Sequence, residues 1–232
     1  MTFTPLPSQP QSTQPLEERA ALLLQLRRSG VRDLNVMRAI ESVPRELFTP
    51  HRFKDLANRN LALPIGCGQT LPAPADLARR LAALAPQPHH RVFEVGVGSG
   101  YGAAVLARLV RELVCVERFE SLAIEAAQRL AALSIANALV LFGDGLAPSR
   151  ALGEFDRILL DVSVEEPPAP VVDLLGPGGV MVFGRLEPAA RGARFRRSRL
   201  VTLTRADDGS LAEADLGLCR HSAALPGAAS AL

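Results

Sequence analysis

Apolar and polar positions along this chain alternate between two periods. Short apolar runs, which suit buried strands, occur at 92–95, 113–116, 138–142, 158–160 and 180–183, each bounded by glycine, proline or charge. Between them, apolar residues recur every three or four positions, the spacing of an amphipathic helix. That spacing predicts helices from Leu16 through Ala20, Leu23 and Leu26 to a stop at Gly30, from Asp33 to Ser42 ahead of Val43-Pro44, over 75–84, after Ala103, over 122–133 and at Val171. Two further strands, 200–204 and 214–220, flank the turn residues Asp207-Asp208-Gly209. Strands alternating with helices imply a doubly wound α/β fold. Its sheet is mostly parallel with helices on both faces, helices precede it, and an antiparallel strand pair closes it. In such a sheet a ligand sits beyond the carboxyl ends of the strands.

The segment 91–104 sharpens this picture. Its strand 92–95 runs into Gly96, Gly98 and Gly100, which let the backbone turn sharply and approach a ligand, and then into an alanine-rich helix. A dinucleotide fingerprint needs a third glycine five positions after the first. From Gly96 that position is Tyr101, and from Gly98 it is Ala103. The pattern present is ExGxGxG, with Glu94 just ahead of the turn. It resembles motif I of the class I S-adenosylmethionine (SAM) methyltransferases, and a carboxylate there suits that cationic ligand better than the pyrophosphate of NAD. Three later pieces follow at the spacing of a doubly wound sheet. Glu117 ends the second strand, where a carboxylate binds ribose hydroxyls. Asp144 lies in Gly143-Asp144-Gly145, suited to an adenine amino group. A strand, helix, Pro-Gly turn and strand then run from Phe155 to Phe183.

Composition narrows the class. A chain of 232 residues that is 48% hydrophobic can bury one sizeable core. The expected organisation is a disordered tail over 1–15, one domain over 16–222 (a helical and loop cap at 16–74, the sheet core at 75–222) and a flexible tail over 223–232. Lys and Arg total 26 against 24 Asp and Glu, so the balance gives no case for nucleic acid. Cys67, Cys115 and Cys219 form no CxxC pair, which predicts a reducing compartment without disulfide or zinc; no metal is expected. His89 and His90 adjoin before a strand and read as loop residues. No apolar run nears the roughly 18 residues that span a bilayer, and no signal peptide stands at the start. The expectation is a soluble, cytoplasmic monomer.

Several motifs in order carry a family resemblance over nearly all of 20–222. Residues 43–50, VPRELFTP, and 63–70, LPIGCGQT, resemble segments of the protein-L-isoaspartate O-methyltransferases, as do 98–107, GSGYGAAVLA, and the tail around Asp208-Gly209-Ser210 and Asp215-Leu216-Gly217. The resemblance implies SAM as cofactor and S-adenosylhomocysteine as product, with isoaspartyl or D-aspartyl residues of damaged proteins as acceptors. Carried over by position, Glu94, Gly96, Gly98, Ser99 and Gly100 would serve the methionine part of SAM. Glu117 and Arg118 would serve the ribose side, Asp144 and Gly145 the adenine, and Thr70 with Leu71 would close over the cofactor.

Two departures bear on the acceptor. The family places an active-site serine two residues after the threonine, and here that residue is Pro72, which has neither hydroxyl nor N–H. Where the family carries a small neutral stretch, this chain has 161–167, DVSVEEP. Three carboxylates there would repel an anionic acceptor. This leaves open a different, neutral or cationic acceptor with Asp161 as a base, or a non-catalytic SAM-binding homologue. Thr70, the Pro72 position, Asp161 and Ser163, the last as a substitute hydroxyl, are the candidate catalytic residues. Arg191, Arg194, Arg196, Arg197 and Arg199 form a basic cluster read as a solvated loop, with recruitment of an acidic polypeptide or nucleic acid as the alternative.

Overall fold

A computed structural model describes residues 16–188 and 196–229. Helix α1 (Leu16–Arg28) has Glu17 and Glu18 in its first turn and Arg27 and Arg28 in its last, matching the helix dipole at both ends. Helix α2 (Leu34–Ser42) starts where the Asp33 carboxylate accepts the Asn35 and Val36 N–H groups at 2.8 and 3.1 Å. A two-stranded ribbon follows, β1 (Leu63–Pro64) against β2 (Thr70–Leu71). The remaining elements are α3 (Pro74–Leu84), β3 (Arg91–Val95), α4 (Tyr101–Leu106), β4 (Glu112–Glu117), α5 (Glu120–Ala132), β5 (Ala138–Phe142), β6 (Phe155–Val164), α6 (Ala169–Val172), β7 (Leu175–Leu186), β8 (Ser198–Arg205) and β9 (Leu211–Cys219).

The main sheet has the order β5-β4-β3-β6-β7-β8-β9. Its first five strands are parallel, and β8 and β9 complete it antiparallel. Chain direction across the sheet reverses between β3 and β6, which opens a crevice beyond their carboxyl ends. Alternation along β3 divides the core. Val92 belongs to the larger cluster with α1 to α5, whereas Phe93 and Val95 pack on the opposite face with Val116, Ile158, Leu160, Phe183 and Val171 of α6. Helices were expected on both faces, and both carry them, but unequally: α6 spans only four residues. No helix among the described residues is long and apolar enough to cross a membrane.

The motif residue Arg45 fixes the cap to the crevice. It is 2% exposed, and its guanidinium donates to the carbonyls of Ala57 (2.8 Å), Leu61 (3.0 Å) and Pro72 (2.9 Å). Burial pushes its pKa down to about 10. One buried cation thus satisfies carbonyls of an irregular loop and of the segment just after β2. Phe48 packs edge-on against Tyr101 at 5.5 Å, tying the same cap to α4.

The expected tail at 1–15 lies outside the described residues, as do Arg191 and Arg194. The stretch 223–229, expected as a free tail, instead runs across the strand ends. Ala223 bridges to Ser163 and Ala229 to Phe119, both in parallel. The Ala224 N–H donates to the Ser163 carbonyl at 2.7 Å and the Ala229 N–H to the Arg118 carbonyl at 2.7 Å. Its backbone is therefore satisfied by pairing, a course that no apolar period in this stretch announces.

Candidate active site

A cavity of about 1180 Å3 occupies the crevice at the carboxyl ends of β3, β4 and β6. Three segments enclose it: the ribbon residues Thr70 and Leu71 with Pro72, the glycine turn after β3, and the chain at 218–225, which runs from the end of β9 into the crossing segment. Gly96, Gly98 and Gly100 all have positive φ (89°, 55° and 90°), a region that side-chain-bearing residues avoid. This is the sharp turn that the spacing predicted. Gly96, Gly98 and Ser99 face the cavity. Gly100 does not line it: a Cβ there would stand 3.0 Å from Ala126, so this glycine serves the packing of the turn on α5.

Glu117 lies at the end of β4 and lines the cavity while 3% exposed. One carboxylate oxygen accepts the Gly98 N–H at 2.8 Å and the other the Phe119 N–H at 3.0 Å. These bonds fix the carboxylate and leave each oxygen a further lone pair, the arrangement needed to accept two vicinal hydroxyls. Asp144 and Gly145 form the next wall. A Cβ on Gly145 would lie 2.5 Å from Val95 Cγ1, so only glycine lets the chain pass this close. Asp144 accepts from Leu146 N–H at 2.9 Å and from Gly227 N–H at 2.7 Å, and Arg118 Nε donates to the Gly227 carbonyl at 3.1 Å. The crossing segment thus reaches the very residues expected at the adenine side.

Glu94 stands behind the cavity rather than in it. Strand alternation turns it to the α3 and α4 face, where it is 0% exposed and hydrogen-bonded only to the Cys115 thiol, at 3.4 Å, with Oε1 unpartnered among the described residues. Burial, reinforced by the nearby Asp161 charge, pushes its pKa up to about 8. Asp161 itself lines the cavity from within β6, its Cβ 3.7 Å from where a Cβ on Gly96 would be. Burial raises its pKa as well, while the Arg80 guanidinium, with Nη1 at 2.6 Å, opposes the rise.

Arg80 and His221 complete this corner and were not foreseen. Arg80 lines the cavity at 3% exposure and also lies 2.8 Å, through Nη1, from His221 Nε2. Arginine only donates, so Nε2 accepts and the imidazole proton is on Nδ1. Burial and the Arg80 charge hold the His221 pKa well below its usual range, leaving the ring neutral.

Of the candidate catalytic residues, Thr70, Pro72 and Asp161 share the cavity. Ser163 does not line it. Its side chain is fully buried, its hydroxyl donates to Ser198 Oγ at 2.8 Å, and its backbone holds the crossing segment, so the expected substitute hydroxyl is occupied elsewhere. The acidic stretch is also resolved into its parts. Asp161 is matched by Arg80, while Glu165 and Glu166 are exposed and pair with Arg196 (2.6 Å) and Arg185 (3.1 Å). Arg199 pairs with Glu187 and Asp215. Arg196 and Arg197 reach the cavity rim.

A profile of the protein-L-isoaspartate(D-aspartate) O-methyltransferase family matches residues 17–220. Protein-L-isoaspartate O-methyltransferase 2 of Rhodopseudomonas palustris strain HaA2 is 44% identical over 221 residues, covering 95% of this chain and 99% of that protein. The protein-L-isoaspartate O-methyltransferase of Rhodospirillum centenum is 42% identical, over 88% of this chain and 90% of its own length. A solved protein-L-isoaspartate O-methyltransferase superposes with a TM-score of 0.74 at 24% identity, over 89% of this chain and 65% of that one. At that identity the likeness bears on the fold.

Proposed function

This chain belongs to the protein-L-isoaspartate(D-aspartate) O-methyltransferase family, and on that premise we propose how its cavity performs the reaction. It is a SAM-dependent methyltransferase whose acceptor is the carboxyl group of L-isoaspartyl, and D-aspartyl, residues in damaged proteins. The observation that carries the assignment of the cofactor side is the pair Glu117 and Asp144 at adjacent strand ends, facing one cavity with the glycine turn. Glu117 would take the ribose hydroxyls, with Arg118 flanking. Asp144 and Gly145 would take the adenine, Gly96, Gly98 and Ser99 the methionine part, and Thr70 and Leu71 would close the ribbon over it.

SAM held there would supply an electrophilic methyl carbon to the acceptor carboxylate, the new O–C bond forming as the C–S bond breaks, with S-adenosylhomocysteine as the leaving group. An isoaspartyl carboxylate is already ionised at neutral pH, so the site has no proton to remove and Asp161 need not act as a base. The residues contribute position. The Pro72 wall is anchored by Arg45, and Asp161 is fixed and neutralised by Arg80. Neutralisation of Asp161, with the outward pairing of Glu165 and Glu166, removes the repulsion that favoured a cationic acceptor. Three unpaired thiols fit a reducing cytoplasm, and a monomer acting on peptide chains is part of the proposal.

The test follows S-adenosylhomocysteine release with an isoaspartyl peptide beside its normal aspartyl twin. Release with the first alone is expected. Equal rates with both, or none with folded protein, would overturn the acceptor assignment.

A further inference from the structure

The crossing segment ties itself to the cofactor half of the cavity through one residue. The Gly227 N–H donates to Asp144 Oδ2 at 2.7 Å, and the Gly227 carbonyl accepts from Arg118 Nε at 3.1 Å. Asp144 and Arg118 both line the cavity, the first on the side proposed for the adenine and the second flanking that proposed for the ribose. Gly227 has a φ of 82°, and a Cβ there would meet nothing within 4 Å, so glycine is needed for backbone conformation and not for space. Beyond it, the Ala229 N–H donates to the Arg118 carbonyl and the Ala229 carbonyl accepts the Glu120 N–H at 3.2 Å. Before it, Ala223, Ala224 and Leu225 line the cavity.

Two features decide what this arrangement can do. The first is how lightly the segment is held. None of residues 221–229 is buried, and Leu225 is 60% exposed. A stretch fixed by backbone hydrogen bonds with little apolar contact opens locally at low free energy. The second is that closure leaves room. The cavity holds about 1180 Å3 with the segment in place, above the usual range for small-molecule sites, so a ligand need not displace it. Nor is Asp144 used up: an ionised carboxylate has about four acceptor positions, and the Leu146 and Gly227 N–H groups occupy two of them.

We propose that the segment 223–229 is the latch of the cofactor site: it closes over the bound nucleoside, with Leu225 against it, and opens to exchange S-adenosylhomocysteine for SAM. The assignment rests on the reading above that puts the adenine at Asp144 and Gly145. Ligand and latch then meet on one carboxylate and on one exposed leucine. The nucleoside favours the closed segment by covering Leu225, and the closed segment in turn slows the escape of the nucleoside.

Gly227→Pro tests the proposal in the full chain. Proline cannot take a positive φ and has no N–H to give Asp144, so the latch is released while the side chains of the cavity stay as they are. Calorimetry and stopped-flow measure the affinity and dissociation of S-adenosylhomocysteine and of methylthioadenosine, which keeps the nucleoside and lacks the amino-acid end. Both should bind at least about threefold more weakly, by the same factor and through faster dissociation, the loss reaching about tenfold if one hydrogen bond to a charged group is forfeited in full. A smaller change, tighter binding, or a loss confined to S-adenosylhomocysteine would overturn the proposal; tighter binding would mean that the segment competes with the ligand. Hydrogen exchange over the last ten residues of wild type is the second measurement. S-adenosylhomocysteine should slow exchange there at least about tenfold, and equal exchange with and without it would also overturn the latch. Should Gly227→Pro fail to fold, the exchange measurement decides alone. If wild type binds neither nucleoside, the cofactor placement falls and the latch with it, whereas normal binding in wild type that Gly227→Pro leaves unmoved sinks the latch alone.

Discussion

Substituting Glu94 by Gln should make this protein more stable as pH rises toward about 8, relative to wild type. The folded carboxyl has its pKa raised from the ordinary 4.5 to about 8 by burial and by Asp161. A raised carboxyl pKa means that the folded state holds a proton the unfolded state has lost. Its favourable contribution is complete below about pH 4.5 and disappears as pH climbs through about 8. One proton linked in this way changes stability by about 1.4 kcal/mol per pH unit, so between about pH 6 and pH 8 wild type should lose about 2 kcal/mol that Glu94→Gln does not lose. Glutamine keeps the shape and stays neutral throughout. Urea unfolding at half-unit pH intervals reads the difference directly. Two stability curves that stay parallel between pH 6 and pH 8 would refute the reasoning. They would mean that Glu94 is ionised in the folded protein, with a counter-charge beyond those seen around it.

Glu117→Gln removes the charge that the Gly98 and Phe119 N–H groups fix at the end of β4, on the side proposed for the ribose. S-adenosylhomocysteine binding should weaken by about 1.5–3 kcal/mol, tenfold to over a hundredfold, in calorimetry. Gly145→Ala places a Cβ 2.5 Å from Val95 Cγ1. A loss of about 1–3 kcal/mol in unfolding stability is expected, together with weaker cofactor binding. Arg45→Met strips donors from the carbonyls of Ala57, Leu61 and Pro72, and should cost at least about 3 kcal/mol by urea unfolding, since buried acceptors are left unpaired. Normal stability in that variant would show that the Arg45 network carries little of the cap.

Much of this site is legible in sequence because strands and turns are local. The run 92–95, the three positive-φ glycines and the carboxylates at 117 and 144 obey short-range rules, and the sheet brings them together. The side of the strand on which Glu94 falls was also legible: it shares a parity with Val92, on the helix face. That places it behind the turn instead of in the cavity. Arg80 gave a signal of the same kind. It stands in the apolar stripe of α3 with Leu77, Leu81 and Leu84, all buried, and an arginine in such a stripe needs a buried partner. Which partner could not be read. Asp161 and His221 lie 81 and 141 residues further on, and only the folded sheet makes them neighbours. The crossing segment at 223–229 was illegible for another reason: its small residues have no period, and it is held by backbone pairing, to which sequence is nearly silent.

The central claim is that this cavity esterifies an isoaspartyl carboxylate although its wall offers Pro72 in place of a hydroxyl. The direct measurement is mass spectrometry of an isoaspartyl peptide after incubation with the protein and methyl-labelled SAM, with fragmentation to locate the label, for wild type and Pro72→Ser. The account predicts a labelled methyl ester at the isoaspartyl side of the peptide in wild type. The serine variant should be faster by no more than the worth of one hydrogen bond to a charged group, roughly ten- to a hundredfold. Label appearing only in Pro72→Ser, or on another group of the peptide in wild type, would contradict it.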